Sequence, residues 1–452
     1  MTLPEDFVSC MRSILKDEYE EFEKTLNTNE VYTGLRLNPK KVTSKNIFSH
    51  ILENCDKVPW CADGFYFNKE NLSGNHPYHI AGLCYFQEPS AMSCVEVLNI
   101  KPDDFVLDLC AAPGGKSTQA GAKLSDEGLL ISNEIISKRA SSLVENIERF
   151  GFKNTIVTNE NPEQLALKFP SFFDKIIVDA PCSGEGMFKK EPQSLTQWSL
   201  NHTISCAKRQ KLIMDCAYRM LRPGGYIAYS TCTFSPYENE GVIDYMLSEY
   251  SDLSLCNTGL DNLSPGSGEY ISSRHNLSLT RRIFPHKNKG EGHFVALLHK
   301  GGNSLKAQIP QSKPDKQSLE ASKLYYEFEK KFLNIHIEGS FKLFGENLYI
   351  IPHGINTDKI KLARAGFYLG ICRKNRFEPS HALLMSLNIN DFKNVISFSV
   401  NDELLKEFLK GNTIPSESLG YTVVAVDNIP IGWGKGSSGI LKNHFPKYCR
   451  LS

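Results

Sequence analysis

Short apolar runs alternate with longer amphipathic stretches through the middle of the chain. Apolar runs of about four to eight residues are typical of buried parallel strands, and apolar positions three or four residues apart indicate helices. The predicted strands are Phe105–Leu109, Leu129–Asn133, Thr155–Thr158, Lys175–Asp179, Tyr226–Ser230 and Phe294–Leu298. The predicted helices among them are Lys138–Phe150, Ile204–Leu221 and Pro236–Glu249. This alternation predicts an α/β domain with a doubly wound, largely parallel sheet.

The two ends of the chain differ from the middle and predict further parts. Apolar residues from Phe7 to Leu26 recur at helical spacing, which predicts one amphipathic helix over residues 4–26. Near the other end, an Asp427-Asn428 turn between Tyr421–Val426 and Ile429–Trp433 predicts a β-hairpin. We therefore expect an N-terminal accessory lobe at 1–100, the α/β domain at 101–300, a polar linker at 301–317 and an α+β module at 318–452.

Composition and charge exclude several classes of protein. The 452 residues allow two or three domains, and 41% hydrophobic with 23% charged residues is an ordinary globular mixture. Lysine plus arginine equals aspartate plus glutamate at 51 each, which disfavours indiscriminate binding to nucleic acid but allows a local basic face. The 13 cysteines are scattered without a Cys-x-x-Cys pair, so we expect free thiols, no metal and a cytoplasmic protein. Without a long apolar run or a signal-like N-terminus, we expect no membrane association.

A glycine-rich loop follows the first predicted strand and leads into a helix. Its residues are Cys110, Ala111, Ala112, Pro113, Gly114, Gly115 and Lys116. Such a loop presents backbone N–H groups and a helix N-terminus to an anionic or polar ligand. The Gly-Lys-Ser sequence at 115–117 is similar to the end of a phosphate-binding Walker loop, but that motif needs a glycine where Cys110 stands. The loop therefore favours a nucleoside cofactor.

Glu134 supports the same interpretation. It lies 19 residues after Gly115, at the end of the second predicted strand, where an acid can accept hydrogen bonds from ribose hydroxyls. The alternative role is an acid that stabilises the N-terminus of the following helix. The position beside a glycine loop favours the ribose role.

Two cysteines follow predicted strands. Cys182 lies in Asp179-Ala180-Pro181-Cys182, and Cys232 lies in Ser230-Thr231-Cys232. Because ligands bind at the carboxyl edge of an open α/β sheet, both thiols are expected at the catalytic edge. Free cysteines are usually inert small hydrophobes, yet two of them delivered to one edge favour covalent catalysis.

These motifs resemble those of a known family. Asp108–Thr118, Asp179–Phe188 and Tyr229–Phe234 are similar to motifs of the S-adenosylmethionine-dependent RNA cytosine-5 methyltransferases, the Nol/Nop/Sun group. Arg36–Asn38, Tyr85–Ala91 and the segment Gly432–Asn443 resemble its bacterial 16S ribosomal RNA subgroup in particular. The resemblance implies a Rossmann-like methyltransferase domain, an N-terminal RNA-contacting lobe and a C-terminal RNA-binding module similar to PUA domains. It implies methylation near the decoding region, with 16S ribosomal RNA or the small subunit as partner. We expect the protein to be a monomer.

The resemblance also implies roles for single residues. It assigns attack on cytosine C6 to Cys232 and product release to Cys182. It places Asp179 near cytosine N3 and N4 and near the methionine end of the cofactor, and its alternative role is to cap a turn. Asn161 stands where relatives often carry an acid that contacts adenosine. Lys116 is expected to contact the cofactor or the site's polar groups unless it is merely solvated, and Cys110 to contribute backbone and packing.

RNA contacts are expected where cations cluster. Ile271–Gly290 and Ile429–Ser452 each contain several cations and no acid, and the second also carries Trp433, Phe445 and Tyr448. Aromatic rings among cations suit stacking and phosphate binding, although a solubilising face would have the same composition. The RNA-contacting candidates are Arg36, Lys189, Arg281, Arg282, Lys287, Lys435 and Lys442.

Four other functions compete with this one. A DNA cytosine-5 methyltransferase would use the Pro-Cys thiol as nucleophile, and the Thr-Cys motif favours RNA instead. A tRNA methyltransferase of the same family remains open. A non-catalytic RNA-binding assembly factor would keep the fold but show no turnover. A P-loop nucleotidase would bind a triphosphate and would not bind S-adenosylmethionine.

Overall fold

The structure is a computed structural model that describes residues 2–28, 30–42, 45–68, 72–303, 309 and 315–451. Most of the predicted linker at 301–317, including Pro310 and Pro314, lies outside these ranges. The helices are α1 (Glu5–Leu15), α2 (Tyr19–Leu26), α3 (Ser49–Leu52), α4 (Pro77–Ile80), α5 (Ser93–Glu96), α6 (Gly115–Lys123), α7 (Ser137–Phe150), α8 (Pro162–Lys168), α9 (Pro192–Gln197), α10 (Leu200–Met220), α11 (Glu240–Glu249), α12 (Lys316–Phe332), α13 (His381–Met385) and α14 (Glu403–Leu409).

The strands are numbered separately along the chain. They are β1 (Gly34–Leu37), β2 (Gly64–Tyr66), β3 (Cys84–Gln87), β4 (Phe105–Asp108), β5 (Leu129–Asn133), β6 (Thr155–Thr158), β7 (Phe173–Asp179), β8 (Leu221–Thr231), β9 (Leu253–Cys256), β10 (Ser264–Pro265), β11 (Arg281–Ile283), β12 (His293–Lys300), β13 (Ser340–Phe344), β14 (Asn347–Ile351), β15 (Leu362–Arg364), β16 (Phe367–Arg373), β17 (Arg376–Pro379), β18 (Val395–Phe398), β19 (Ile414–Pro415), β20 (Gly420–Val426), β21 (Ile429–Ser437) and β22 (Ile440–Asn443).

A ten-stranded sheet forms the centre of the fold. Its strand order is β10-β11-β12-β8-β7-β4-β5-β6-β15, and β9 also pairs with β12. Strands β4 to β8 run parallel, and β12 is antiparallel to β8. The order reverses at β4, whose neighbours β5 and β7 lie on opposite sides, so a crevice opens beyond the carboxyl ends of these strands. The predicted doubly wound α/β sheet is confirmed.

Alternating strand residues build a core on each face of this sheet. Leu107 packs in a cluster with Met214 of α10, whereas its neighbour Val106 packs in another with Leu143 of α7. This division follows from the two-residue repeat of side-chain direction along a strand. Helices on both faces explain why the strands are apolar at nearly every position.

The N-terminal region adds a small sheet and an aromatic contact to the α/β domain. Strands β2, β1 and β3 form a three-stranded antiparallel sheet. The single helix predicted over residues 4–26 is wrong, because Lys16 adopts a left-handed φ of 50° and separates α1 from α2. The apolar spacing continues across this break since both helices pack into one cluster, which includes Phe22 and Phe234.

The C-terminal region contains two further sheets and one strand of the central sheet. One sheet has the order β13-β14-β16-β17, and the other has the order β18-β20-β21-β22-β19. The predicted hairpin is confirmed, with Asp427 and Asn428 at φ values of 46° and 64° in its turn. Strand β15 leaves this region and pairs with β6 at the edge of the central sheet, which sequence patterns did not predict. Among the described residues, no helix has the length and apolarity needed to cross a membrane.

Candidate active site

A cavity of about 570 Å³ opens in the crevice at the carboxyl edge of the parallel strands. The loop after β4, the end of β5, the end of β7 and the segment after β8 all contribute to its wall. Sequence-predicted residues that line it are Cys110, Ala112, Glu134, Asn161, Asp179, Cys182 and Cys232. The structure thus brings together residues that are far apart in the sequence but share this edge.

The glycine loop is held against α7 by its carbonyl groups. Arg139 donates a hydrogen bond to the carbonyl of Ala112 at 2.9 Å, and Asn146 donates one to the carbonyl of Pro113 at 3.0 Å. The Ala112–Pro113 peptide bond is cis. Gly114 precedes α6 with a φ of 115°, a conformation that side chains other than hydrogen disfavour. The loop therefore turns tightly into α6 beside the cavity.

Glu134 lies just before α7 and Asn161 caps α8, and both residues line the cavity. Glu134 accepts a hydrogen bond from the backbone N–H of Ile136 at 2.8 Å, and Arg139 lies 3.4 Å from its other oxygen. Asn161 caps α8 by accepting the N–H of Glu163 at 2.9 Å. Both of the roles that the sequence suggested for Glu134 are therefore compatible with its position.

The cavity wall beside Glu134 is apolar, which sequence analysis missed. Ile135 is 59% exposed and Ile136 is 51% exposed, and both line the cavity. The carboxylate of Glu134 can accept hydrogen bonds from hydroxyl groups, and the two isoleucines offer an apolar surface to a base. The carboxylate of Asp179 suits a positive charge. Together these features fit a cationic nucleoside ligand. Sequence analysis missed the isoleucines because two apolar residues between a strand and a helix are usually buried in the core.

Lys116 and Asp179 form an ion pair at the inner end of the site. Their Nζ and Oδ2 atoms lie 2.8 Å apart, and the hydroxyl of Ser230 donates to Oδ1 of Asp179 at 2.8 Å. Burial alone would raise the pKa of Asp179, but the charge of Lys116 and the hydrogen bonds from Lys116 and Ser230 together lower it. Burial would lower the pKa of Lys116, and Asp179 raises it instead. Both groups are therefore held in their charged forms.

His293 was not predicted and faces the same ion pair. Its Nε2 atom lies 3.8 Å from Oδ1 of Asp179 and has no hydrogen-bond partner. Burial and the nearby charge of Lys116 lower the pKa of His293 to about 3, so the ring is neutral. The sequence alone carried no signal for it, because its place near Cys232 follows from the antiparallel pairing of Phe294 with Thr231, the residue before Cys232.

The two predicted cysteines lie in contact. The Sγ atoms of Cys182 and Cys232 are 3.3 Å apart. The hydrogen bond to Cys232 and then burial raise the pKa of the Cys182 thiol well above its usual range. Cys182 therefore keeps its proton, and its S–H lies within reach of the sulfur of Cys232. Two thiols in contact at a cavity wall suit a covalent reaction in which one acts and the other assists.

A buried carboxylate network, also missed by sequence analysis, supports the loop that carries Cys182. Glu238 accepts a hydrogen bond from the backbone N–H of Ser183 at 2.9 Å. A signal was present, since Glu238 lies six residues after Cys232 in the same motif region.

Four of the seven predicted RNA contacts are corrected by the structure. Their side chains are buried and bound inside the protein, so they are not available to a phosphate. Arg36 bonds to Gln87 and Thr118, Lys189 lies 3.4 Å from Glu291, Arg281 pairs with Asp261, and Arg282 pairs with Glu240. Arg281 and Arg282 pair with acids that lie outside the acid-free stretch Ile271–Gly290, which explains why that stretch was misleading.

The other three candidates keep exposed or partly exposed side chains. Lys287 is paired with Glu18 at 2.7 Å. Lys435 and Lys442 are exposed and face each other across β21 and β22. Of the aromatic residues predicted to stack on RNA, Trp433 and Phe445 are core residues, and Tyr448 is 61% exposed. The RNA-contacting role of these three lysines stays a prediction.

Comparison with known protein families divides the chain into four matched regions. Residues 3–89 match the N-terminal domain of 16S rRNA methyltransferase RsmF, and residues 95–299 match 16S rRNA methyltransferase RsmB/F. Residues 327–387 match the RsmF rRNA methyltransferase first C-terminal domain, and residues 395–451 match the methyltransferase RsmF PUA domain. The last match agrees with the sequence-based expectation of a PUA-like C-terminal region.

Curated relatives cover nearly the whole chain. The chain is 30% identical over 444 residues to ribosomal RNA small subunit methyltransferase F of Shewanella sp. strain MR-4, covering 92% of this chain and 90% of that protein. The protein of the same description from Shewanella oneidensis is 30% identical over 438 residues, with the same coverage of both chains.

Solved structures share the fold of part of this chain. A methyltransferase homologue from Pyrococcus horikoshii has a TM-score of 0.56 at 26% identity, covering 63% of this chain and 91% of that one. NSun6 from the same organism, solved with SFG, has a TM-score of 0.58 at 22% identity, covering 66% and 99% respectively.

Proposed function

This chain belongs to the RsmF family of 16S ribosomal RNA methyltransferases, and on that premise we propose that it methylates carbon 5 of a cytosine in 16S ribosomal RNA, near the decoding region. The methyl donor in this proposal is S-adenosylmethionine. The cavity fits that group, because Glu134 suits its ribose, Ile135 and Ile136 suit its adenine, and Asp179 suits its positive charge. When bound there, it supplies an electrophilic methyl group on a sulfonium.

The observation that carries the proposal is the contact between Cys182 and Cys232. Carbon 5 of cytosine is a poor nucleophile until a thiolate adds to C6 and makes C5 enamine-like. That chemistry needs one thiol, which loses its proton to solvent and adds to C6 as the thiolate. After methyl transfer, solvent water takes the C5 proton, the electrons of the C5–H bond restore the C5–C6 double bond, and the C6–S bond breaks to release the thiolate. The 3.3 Å contact between the thiols, beside the Lys116–Asp179 ion pair, supports this reaction over uses of a cavity that need no thiol.

In this mechanism Cys232 attacks C6 and Cys182 assists. Because its pKa is raised, Cys182 holds a proton at Sγ and donates it toward the sulfur of Cys232, which stabilises negative charge there before attack and after elimination. Ionised Asp179 can accept a hydrogen bond from the cytosine amino group and orient the ring. The positive charge of Lys116 stabilises the negative charge that develops on the ring during attack. The target base must be unpaired or flipped out of its helix.

Removal of each thiol separates their roles. We expect Cys232→Ala to lose activity by on the order of 10³-fold or more with cofactor affinity nearly unchanged, because the nucleophile is gone. We expect Cys182→Ala to accumulate a heat-stable covalent RNA–protein adduct. A methyl-transfer assay and calorimetry measure the activity and the cofactor affinity of Cys232→Ala. Gel analysis after incubation with 16S ribosomal RNA measures the adduct in each variant. Cys256→Ala, in strand β9, is the matched control. An adduct with Cys232→Ala and none with Cys182→Ala would reverse the assigned roles.

The substrate is tested in cells. Bisulfite mapping of 16S ribosomal RNA with and without this gene should show the loss of a 5-methylcytosine near the decoding region. An unchanged ribosomal map with a lost tRNA site would favour a tRNA methyltransferase instead. Unchanged maps of both RNAs would favour a non-catalytic binding factor.

A further inference from the structure

Glu238 is a buried carboxylate surrounded by hydrogen-bond donors. The residue has no exposed surface. Its Oε2 atom accepts from the backbone N–H of Ser183 at 2.9 Å and from Nε2 of Gln210 at 2.8 Å, and its Oε1 atom accepts from the hydroxyl of Ser183. An ionised carboxylate satisfies all these donors at once, because it is an acceptor at both oxygens.

These bonds hold both sides of Cys182 and reach the Cys232 segment. Gln210 also donates to the carbonyl of Pro181 at 3.0 Å, so the residues before and after Cys182 share one anchor. The hydroxyl of Ser183 lies 2.9 Å from that of Thr233, the residue after Cys232. The carboxylate of Glu238 therefore joins the two segments that set the distance between the thiols.

The surroundings of Glu238 disfavour its ionised form. Burial first, and then the nearby carboxyl of Glu185, raise its pKa to about 7, while its neutral donors lower it only in part. Among the described residues, Cys182, Cys206 and Tyr229 also interact electrostatically with Glu238, and none of these three carries positive charge. Burying a carboxylate among neutral partners costs more free energy than fixing a loop with neutral hydrogen bonds would, which favours a functional role for the charge.

We propose that Glu238 is a positioning residue for product release, holding the Cys182 loop so that the Cys182 thiol stays on the sulfur of Cys232 after methylation. The proposal rests on the covalent mechanism proposed above. Glu238 is not among the residues that line the cavity, so cofactor binding and formation of the adduct depend on it little. Release depends on it because Cys182 acts in that step.

Glu238→Gln tests the role with a side chain of equal shape. We expect the RNA–protein adduct to form and to persist about 10- to 100-fold longer than in wild type, because a small misplacement of an assisting group costs that much. Cofactor affinity should stay unchanged. Glu329→Gln is the matched control, since Glu329 in α12 is a buried carboxylate that also accepts a backbone N–H, from Ile337 at 2.9 Å, and does not line the cavity. Ser183→Ala, which removes one donor, should lengthen the adduct lifetime in the same direction if Glu238→Gln does not fold.

The pH dependence of release distinguishes positioning from simple loss of structure. In wild type, release should slow as the pH falls below about 7, because a protonated carboxyl cannot accept all of its donors. In Glu238→Gln, release should be slow and independent of pH over that range. Wild-type adduct lifetimes, or a parallel loss of adduct formation and cofactor affinity, would overturn the role of Glu238. Absence of any adduct with Cys182→Ala would instead overturn the covalent mechanism, and this proposal with it.

Discussion

Asp108, at the end of β4, makes the stability of the folded protein depend on pH. Its side chain is fully buried under the glycine loop, where Oδ2 accepts from the hydroxyl of Ser117 at 2.7 Å and Oδ1 has no partner. Burial raises its pKa from 3.8 to about 7. Between these values the folded protein retains a proton that the unfolded chain has lost, so the contribution of Asp108 to stability falls as the pH rises.

Asp108→Asn should remove this dependence. We expect the unfolding free energy of wild type, relative to the variant, to fall by up to ~1.4 kcal/mol per pH unit from about pH 4 to pH 7 and then to level off. Urea unfolding at a series of pH values measures the difference. A wild-type protein that gains stability relative to Asp108→Asn over this range would contradict the buried-charge argument.

Sequence reasoning found the residues of this site where a motif and a strand end coincide. Cys182, Cys232, Glu134 and Asp179 follow apolar runs, and parallel strands bring such residues to one edge. It failed for Arg282, because its partner Glu240 lies outside the stretch in which charges were compared. A cation cluster in sequence indicates a basic surface only if the fold leaves those cations unpaired.

At the scale of elements, Arg36 connects the N-terminal sheet to the glycine loop. It lies in β1 and donates to the side chain of Gln87 at 3.0 Å, to the carbonyl of Gly115 at 3.0 Å and to the hydroxyl of Thr118 at 2.7 Å. The guanidinium is buried, and burial lowers its pKa to about 10, so it stays charged. The first turn of α6 is therefore fixed by an element from another part of the chain.

Arg36→Ala should lower the affinity for S-adenosylmethionine and leave the affinity for RNA unchanged. We expect about a tenfold loss of S-adenosylmethionine affinity, because the start of α6 loses donors of about 1–2 kcal/mol in net worth. Calorimetry measures this loss. Lys442→Ala, on the exposed face of β22, is the opposite control, with weaker RNA binding at fixed salt and normal cofactor affinity. Loss of RNA affinity alone in Arg36→Ala would restore the RNA-contacting role predicted from its sequence.

Elements were predicted well where one periodicity persists, and poorly where the chain turns or pairs at long range. The buried strands β4 to β8 were recognised because apolar side chains are needed on both faces. The break at Lys16 was missed because the apolar spacing continues through it. Strand β15 was missed because its three residues, Leu362–Arg364, form a strand only by pairing with β6.

At the scale of the whole molecule, β15 joins the C-terminal region to the α/β domain. Arg364 is buried and donates to the carbonyls of Thr155 at 2.7 Å and Phe152 at 2.8 Å, with Glu148 3.6 Å away. The backbone N–H of Asn159 donates to the carbonyl of Lys361 at 2.8 Å. These contacts cover β6, which would otherwise be an exposed edge strand. The C-terminal region therefore stabilises the sheet that carries the site, besides any contact with RNA.

Arg364→Ala should uncouple the two regions. It leaves two buried carbonyls without donors and Glu148 without its cation, which should cost about 3–5 kcal/mol of unfolding free energy. Amide hydrogen exchange should rise in β6 and β15 together, while the buried strands β4 and β7 change little. Arg373→Ala is the matched control, because its pair with Glu346 is exposed and worth at most about 1 kcal/mol. If β6 kept its protection in Arg364→Ala, the C-terminal region would not be part of the sheet's cooperative unit, and its contribution would have to be sought in RNA binding alone.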